Sequence, residues 1–318
     1  MNYPASLLDA SYGPMITSAV TQGDAEIVWT PITTSGNGRS VTFLFSAKPL
    51  RVGGVFVNVS ATIQQQCADA LGALLPTPKM MDLAWLARGA TIPPVVMPIA
   101  STSAAMLTAS ARLDAAMGSS DGALVCQKTW CIANSLAAKP GTALNYGFFC
   151  IPTSGTAWNG IATEACVSFP LQPQKGRVIQ GQGWAHNAQH LDYSQVCPLV
   201  HRDCQVDGQA ADLKDVLTDP ALAPLVSHEG VLTLPGLRQP GVPLFACASK
   251  TAIPAMHPFV VGAPATTAGM CPTPPRPTNI QGEATDWGLV AECGAALTLV
   301  IGGFWAALRY GGRPAFLR

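Results

Sequence analysis

From Trp287 to Leu308 the chain reads WGLVAECGAALTLVIGGFWAAL. At roughly 1.5 Å of rise per residue, a helix over this run is about one bilayer crossing. Its one charge, Glu292, lies close to the N-terminal edge. Trp287 stands at one border and Trp305 and Tyr310 at the other, where interfacial aromatic residues belong. Glu283 and Asp286 precede the run, and Arg309, Arg313 and Arg318 follow it. If the segment spans, the positive-inside rule puts the short tail in the cytoplasm and the main body outside. The alternative is a buried helix in a large core, for which Glu292 and the Gly-Gly pair speak. In that case the protein is cytoplasmic and soluble. No signal peptide is visible at the N-terminus, where Pro4 and Asp9 interrupt any apolar run and no basic region precedes one.

The remaining composition fits either case. The 318 residues carry 18 basic and 18 acidic side chains, a net charge of zero. That balance, with no basic run, excludes nucleic acid as an expected partner. Charged residues are 11% of the chain, against roughly 25% in ordinary soluble domains. The mean hydropathy of +0.28 argues against disorder over most of the length. A membrane is the partner expected, through 287–308, and no protein partner can be read. The ten cysteines contain no CxxC pair, so neither a zinc ribbon nor a thioredoxin-like motif is present. The close pairs Cys126/Cys131, Cys150/Cys166 and Cys197/Cys204 are either bridged or packed as free thiols.

Local chemistry predicts an α+β fold, with a mainly antiparallel sheet, peripheral helices and a candidate C-terminal transmembrane helix. Val41–Phe45 and Val55–Val59 are β-rich, with turn residues at Ser35-Gly36-Asn37-Gly38 and Gly53-Gly54. Ile63–Leu75 has few helix breakers. Thr77-Pro78 is an N-cap and first-position pair for a helix running to Arg88, with Asp82 near its positive end. Ser103–Met117 is Ala-rich with helical spacing. Thr129–Ala133, Asn145–Cys150 and Val196–Val200 read as strands, and Asp212–Leu217 and Pro220–Leu225 as short helices. The expected organisation is an N-terminal lobe over 1–118, a central β-rich domain over 119–234, a Pro/Gly-rich connector over 235–286 that reads as coil or stalk, and the apolar segment 287–308.

All five histidines follow residue 185. If the stretch from Gly183 to Gln195 is extended, His186, His190, Asp192 and Ser194 share one face and Tyr193 takes the other. An imidazole beside a carboxylate is what general-base chemistry needs, because the carboxylate fixes the tautomer and stabilises the imidazolium. In that arrangement His186 is the base, Asp192 its orienter, and Ser194 or a water the nucleophile. The structural alternative has Asp192 and Ser194 capping a turn beside partly exposed histidines. No cofactor is expected; a divalent metal on the same residues is the other alternative. Glu229, in Ser227-His228-Glu229-Gly230, and Lys128, before a strand in a low-charge region, are secondary candidates. There is no G-x-S-x-G elbow, Walker loop, dinucleotide-binding glycine loop or H-E-x-x-H.

In order along the chain stand Lys128…Asn134, Asn145-Tyr146-Gly147-Phe148, Ile179-Gln180, His186, Asp192-Tyr193-Ser194, Val206-Asp207-Gly208, Asp215-Val216-Leu217, Asp219-Pro220 and Ser227-His228-Glu229-Gly230. This series resembles an uncharacterised bacterial protein family. There a lysine-led strand ends in Ser-Asn, and a Tyr-Gly-Trp-His strand, Ile-Gln-Pro-Leu, a histidine, Asp-Tyr-Ser-His-Gly and Ser-Asp-Glu-Gly follow. The resemblance spans about residues 35–235. It singles out Gln180, His186, Asp192, Tyr193, Ser194 and Glu229, and it passes over His190. Gln180, Tyr193 and Tyr146 are then the expected substrate-binding residues. Two positions depart from the pattern: Phe149 and Gln195 stand where the family has histidine. The resemblance implies positions and no reaction. The expected function is an extracytoplasmic, hydrolase-like protein acting on a cell-envelope polymer such as peptidoglycan. The alternative is a non-catalytic structural or interaction protein of an envelope or a virus particle.

Overall fold

A computed structural model describes residues 1–245 except 93, 96, 119–121, 151–166 and 169–176. The apolar segment 287–308 lies outside the described residues, and no helix among them is long and apolar enough to cross a membrane. They belong to one compact unit.

The chain opens with helix α1 (Tyr12–Gln22), which stops at Gly23 because the C-cap adopts φ 84°, a left-handed conformation that glycine takes without strain. After β1 (Ala25–Glu26), strands β2 (Trp29–Gly36) and β3 (Arg39–Ser46) form a hairpin. Asn37 and Gly38, both at positive φ, make its two-residue turn, as the Asn-Gly pair predicts. Gly53 and Gly54 do the same between β4 (Arg51–Val52) and β5 (Val55–Phe56). Helix α2 (Ala61–Ala70) starts where the Ser60 hydroxyl accepts from the Ile63 N–H at 3.3 Å. It ends earlier than its sequence suggests, because Gly72 turns at φ 61° into β6 (Ala73–Leu74). Helix α3 (Pro78–Leu86) begins as read, with Thr77 as N-cap and Pro78 in the first turn. Helix α4 spans Ser103–Met117 and is capped by Thr102.

Then come β7 (Thr129–Cys131), β8 (Thr142–Cys150), β9 (Val167–Ser168), β10 (Arg177–Asn187), β11 (Val200–Val206), β12 (Gln209–Asp212), α5 (Leu213–Thr218) and α6 (Ala223–Val226). Among the described residues these strands make three sheets, ordered β1-β4-β5, β7-β8-β10-β9 and β12-β11-β3-β2, with β6 added on β11. Every pairing between these strands is antiparallel. The fold is therefore α+β with antiparallel sheets. Strand β3, from the N-terminal part, pairs with β11, from the central part, and one core holds Phe43, Phe45, Trp85, Trp130 and Val200.

Two local expectations change. Val196–Val200 is not a strand: only Val196 makes an isolated bridge, to Asn58, and β11 starts at Val200. The described start of the Pro/Gly-rich stretch is docked and not a free stalk. Leu237 and Val242 are buried there, Arg238 pairs with Asp69 at 2.6 Å, and Gln239 N–H donates to Gln65 Oε1 at 2.9 Å. Cys67, Cys126, Cys131, Cys197 and Cys204 are free and buried, so neither Cys126/Cys131 nor Cys197/Cys204 is bridged. The Cys204 thiol instead faces the Ala211 carbonyl at 3.4 Å. The Cys166 partner of Cys150 lies outside the described residues.

Candidate functional site

The residues singled out in the sequence separate into two clusters around the sheet β7-β8-β10-β9.

The first forms at the end of β10. This strand pairs with β8, with register shifts on either side of Gly183, and His186 lies opposite Ala143. The strand stops at Asn187, whose side-chain oxygen accepts from the Gln189 N–H at 2.9 Å and whose carbonyl accepts from the His190 N–H at 3.1 Å. Of the two alternatives, an extended run as far as Ser194 and a turn capped by Asp192 and Ser194, the turn forms, because an Asn side chain offers the backbone a local partner. The turn folds His190 back onto His186, with ring centroids 3.7 Å apart and 9° between the planes. Both rings stand on the edge of Trp130, whose indole N–H donates to Val59 O at 2.8 Å.

Imidazole, carboxylate and hydroxyl do meet, but not in the expected order. Asp192 Oδ2 lies 3.4 Å from Nε2 of His190, not of His186, and 3.8 Å from the Lys128 ammonium. Asp192 Oδ1 accepts from the Ser194 N–H at 2.7 Å and also from the Ser194 hydroxyl. Ser194 is 1% exposed and donates its proton to Asp192, so it has the geometry of a turn residue and not of a nucleophile. Gln195 Oε1 accepts from the Asp192 N–H at 2.8 Å and closes the same turn. Tyr193 is buried, and its phenol oxygen accepts from the Met97 N–H at 2.9 Å. Gln180 lies opposite Gly147, with its amide donating to Gly181 O at 3.2 Å.

Burial raises the Asp192 carboxyl, but Lys128, the two Ser194 hydrogen bonds and His190 outweigh it, and the group sits below the usual carboxylate range. Burial lowers the Lys128 ammonium, against the pull of Asp192. Burial, then His190 and Lys128, push the His186 imidazole down.

The second cluster lies beside α3. Asp82 is fully buried there. Its Oδ1 accepts the Tyr146 hydroxyl at 2.6 Å, and its Oδ2 lies 2.7 Å from Nε2 of His228. Burial raises the Asp82 carboxyl, and the bonds from His228 and Tyr146 counter it. Burial and the adjacent Asp82 charge drive the Tyr146 hydroxyl far up, so it remains a proton donor. The His228 side chain is 26% exposed and helps line a small cleft of about 10 Å³, room for about one water, with Thr77, Ile132, Gln182, Ser227 and Glu229. Glu229 is anchored at its rim, accepting from the Asn134 N–H at 2.6 Å. Asn134 is held in turn, donating to Val231 O at 2.8 Å and accepting from the Thr233 N–H at 2.6 Å.

Lys128, His186, Asp192 and Ser194 therefore gather in one place, while Tyr146 and Glu229 belong to another. One participant carries no strong signal in the sequence: Asp82, which reads as a helix-dipole residue; His190 shares the face of His186 and Asp192 in the extended reading, and only the resemblance passes it over. His228 was legible only as part of a His-Glu turn. Among the described residues, no group of three or more His, Cys, Asp or Glu is placed to hold a metal ion. No family model, no curated protein and no solved structure matches the chain.

Proposed function

We propose that the protein is a hydrolase-like enzyme in which His228 is the general base and Asp82 its orienter. The observation that carries this reading is the 2.7 Å contact between His228 Nε2 and a fully buried carboxylate, at the wall of a cleft. With Nε2–H committed to Asp82, the lone pair of the neutral ring lies on Nδ1, which takes the proton of an attacking water. The Asp82 charge then stabilises the imidazolium, and Tyr146 keeps Asp82 in place. The imidazolium gives that proton to the leaving group as the bond breaks, and Glu229, held by the Asn134 N–H, is the carboxylate at the cleft that positions the substrate. The His/Asp chemistry expected of His186 and Asp192 is better met here, because Ser194 is already bonded to Asp192. The substrate class is a cell-envelope polymer such as peptidoglycan, a reading that rests on the apolar segment 287–308 and an extracytoplasmic body.

A second reading has its own support. The backbone and hydroxyl of the Asp192–Ser194–Gln195 turn bond to one another, which suits a non-catalytic structural or interaction protein.

The test is turnover of purified peptidoglycan, followed by release of new chain ends. Loss of the general base lowers the rate by about 10²–10⁴-fold in His228→Gln, with an unchanged melting temperature. Full activity in His228→Gln, or no turnover by the wild-type chain, overturns the reading.

A further inference from the structure

Among the described residues, the cluster at the end of β10 holds more basic groups than its one acid can neutralise at close range. Asp192 Oδ1 is taken by the Ser194 N–H and hydroxyl. Its Oδ2 is shared between His190 Nε2 at 3.4 Å and the Lys128 ammonium at 3.8 Å. Both distances exceed the roughly 2.8 Å of a charge-assisted hydrogen bond. The titratable groups that face one another here are Lys128 from the start of β7, His186 from β10, and His190 and Asp192 from the following turn; the Tyr193 hydroxyl is turned away onto Met97. When the stacked pair of imidazoles carries one proton, two cations face one carboxylate. A second proton on the stack would set two like charges 3.7 Å apart. An added anion relieves both conditions.

The backbone around the cluster is bent to make it. Phe148 adopts φ 55°, which a bulky L-residue rarely takes, and so brings its ring to 5.4 Å from the Lys128 ammonium. The register of β10 shifts just before His186, a device that re-aims a side chain. Lys128 is 12% exposed and the His190 side chain 30%, so the group has a dry floor and an open face.

We propose that Lys128, His186 and His190 form a second site, separate from the His228 cleft, that takes an oxyanion group, a carboxylate or a phosphate. The ammonium and a ring N–H donate to it, and Asp192 holds His190 and Lys128 in position.

The test is NMR of the imidazole signals of the full chain, titrated with inorganic phosphate and with acetate. Sodium chloride holds the ionic strength constant, near pH 6 and near pH 8. Saturable shifts of the His186 and His190 signals are expected, with binding roughly tenfold tighter at the lower pH. Saturation by phosphate alone assigns a phosphate group, and by acetate alone a carboxylate. Lys128→Met should abolish saturation and Lys128→Arg should keep it. His190→Asn, at a partly exposed ring, should weaken binding even if Lys128→Met does not fold. Shifts reproduced equally by chloride, or saturation unchanged in both Lys128→Met and His190→Asn, overturn the proposal. Turnover at His228 is not read in this experiment, so the two sites stand or fall separately.

Discussion

Nε2 of His228 and Oδ2 of Asp82 lie 2.7 Å apart although 146 positions separate them in the chain. The carboxylate sits on the first turns of α3, and the imidazole sits in the loop after α6. Thr77 ties the two regions together. Its hydroxyl accepts the Met80 N–H at 3.1 Å and donates to Val226 O at 2.5 Å. Thr77→Ala removes a helix cap and strands a buried carbonyl. We expect a loss of about 2 kcal/mol in urea unfolding, and weakened turnover because His228 is no longer held against Asp82.

Tyr146→Phe deletes the donor to Asp82 Oδ1 and leaves a buried acceptor unpaired. The expected cost is about 1–3 kcal/mol in denaturant unfolding. A Tyr146→Phe protein as stable as wild type would show that Asp82 does not depend on this bond.

Gly147 and Gly141 should respond differently to alanine. A Cβ at Gly147 would meet Gln127 O at 2.6 Å and Lys128 Cα at 2.9 Å, at φ 139°. These are backbone atoms of the segment that leads into β7 and cannot move away singly. Gly147→Ala is expected to cost about 3 kcal/mol or more. Gly141 has φ 77° with nothing within 4 Å, so Gly141→Ala should cost about 1 kcal/mol, from conformation alone. Thermal melts of the two variants check the difference.

Stability should fall as pH drops from about 7 to about 5. Burial holds the His201 imidazole below its ordinary value, and Nδ1 must stay unprotonated to accept the Asp203 N–H at 3.0 Å. His186 is lowered too. For both, the unfolded chain takes up the proton first as pH falls through about 6.5, so the folded state loses ground there. Each group contributes a slope of at most about 1.4 kcal/mol per pH unit. Asp192 is depressed, so its contribution persists through this window and is lost only below about pH 4. Melting temperature against pH reads the effect, and His201→Gln should flatten the upper part of the curve.

Asp69 accepts from Gln65 at 2.9 Å, from Arg238 at 2.6 Å and from the Phe245 N–H at 3.1 Å. It is the anchor that docks 237–245 on α2. Asp69→Ala should open this stretch, seen as faster hydrogen exchange and earlier proteolytic cleavage there, while α3 keeps its protection.

Much of the local structure is legible in the sequence. The Asn37-Gly38 turn, the Thr77-Pro78 helix start and the Ser103–Met117 helix follow from neighbours a few positions apart, and the chain obeyed them. Strand β10 was not legible: its Gly181 and Gly183 break any alternation, and its place depends on pairing with β8 across a long separation. For the stretch after it the residues allow an extended run or a turn capped by Asp192 and Ser194, and the turn forms because the Asn187 side chain competes for the backbone. That exchange put His190 beside Asp192 where His186 had been expected.

By itself the sequence determined the α+β character, the antiparallel hairpins, the helix caps and the residue types from which a site could be built. Those depend on propensities and contacts within a turn or a hairpin. Only the tertiary structure decided which imidazole meets which carboxylate, at Asp82–His228 and at Asp192–His190. Such pairs form when distant segments bury their apolar faces together, and a buried charge must then take the partner that the packing brings to it.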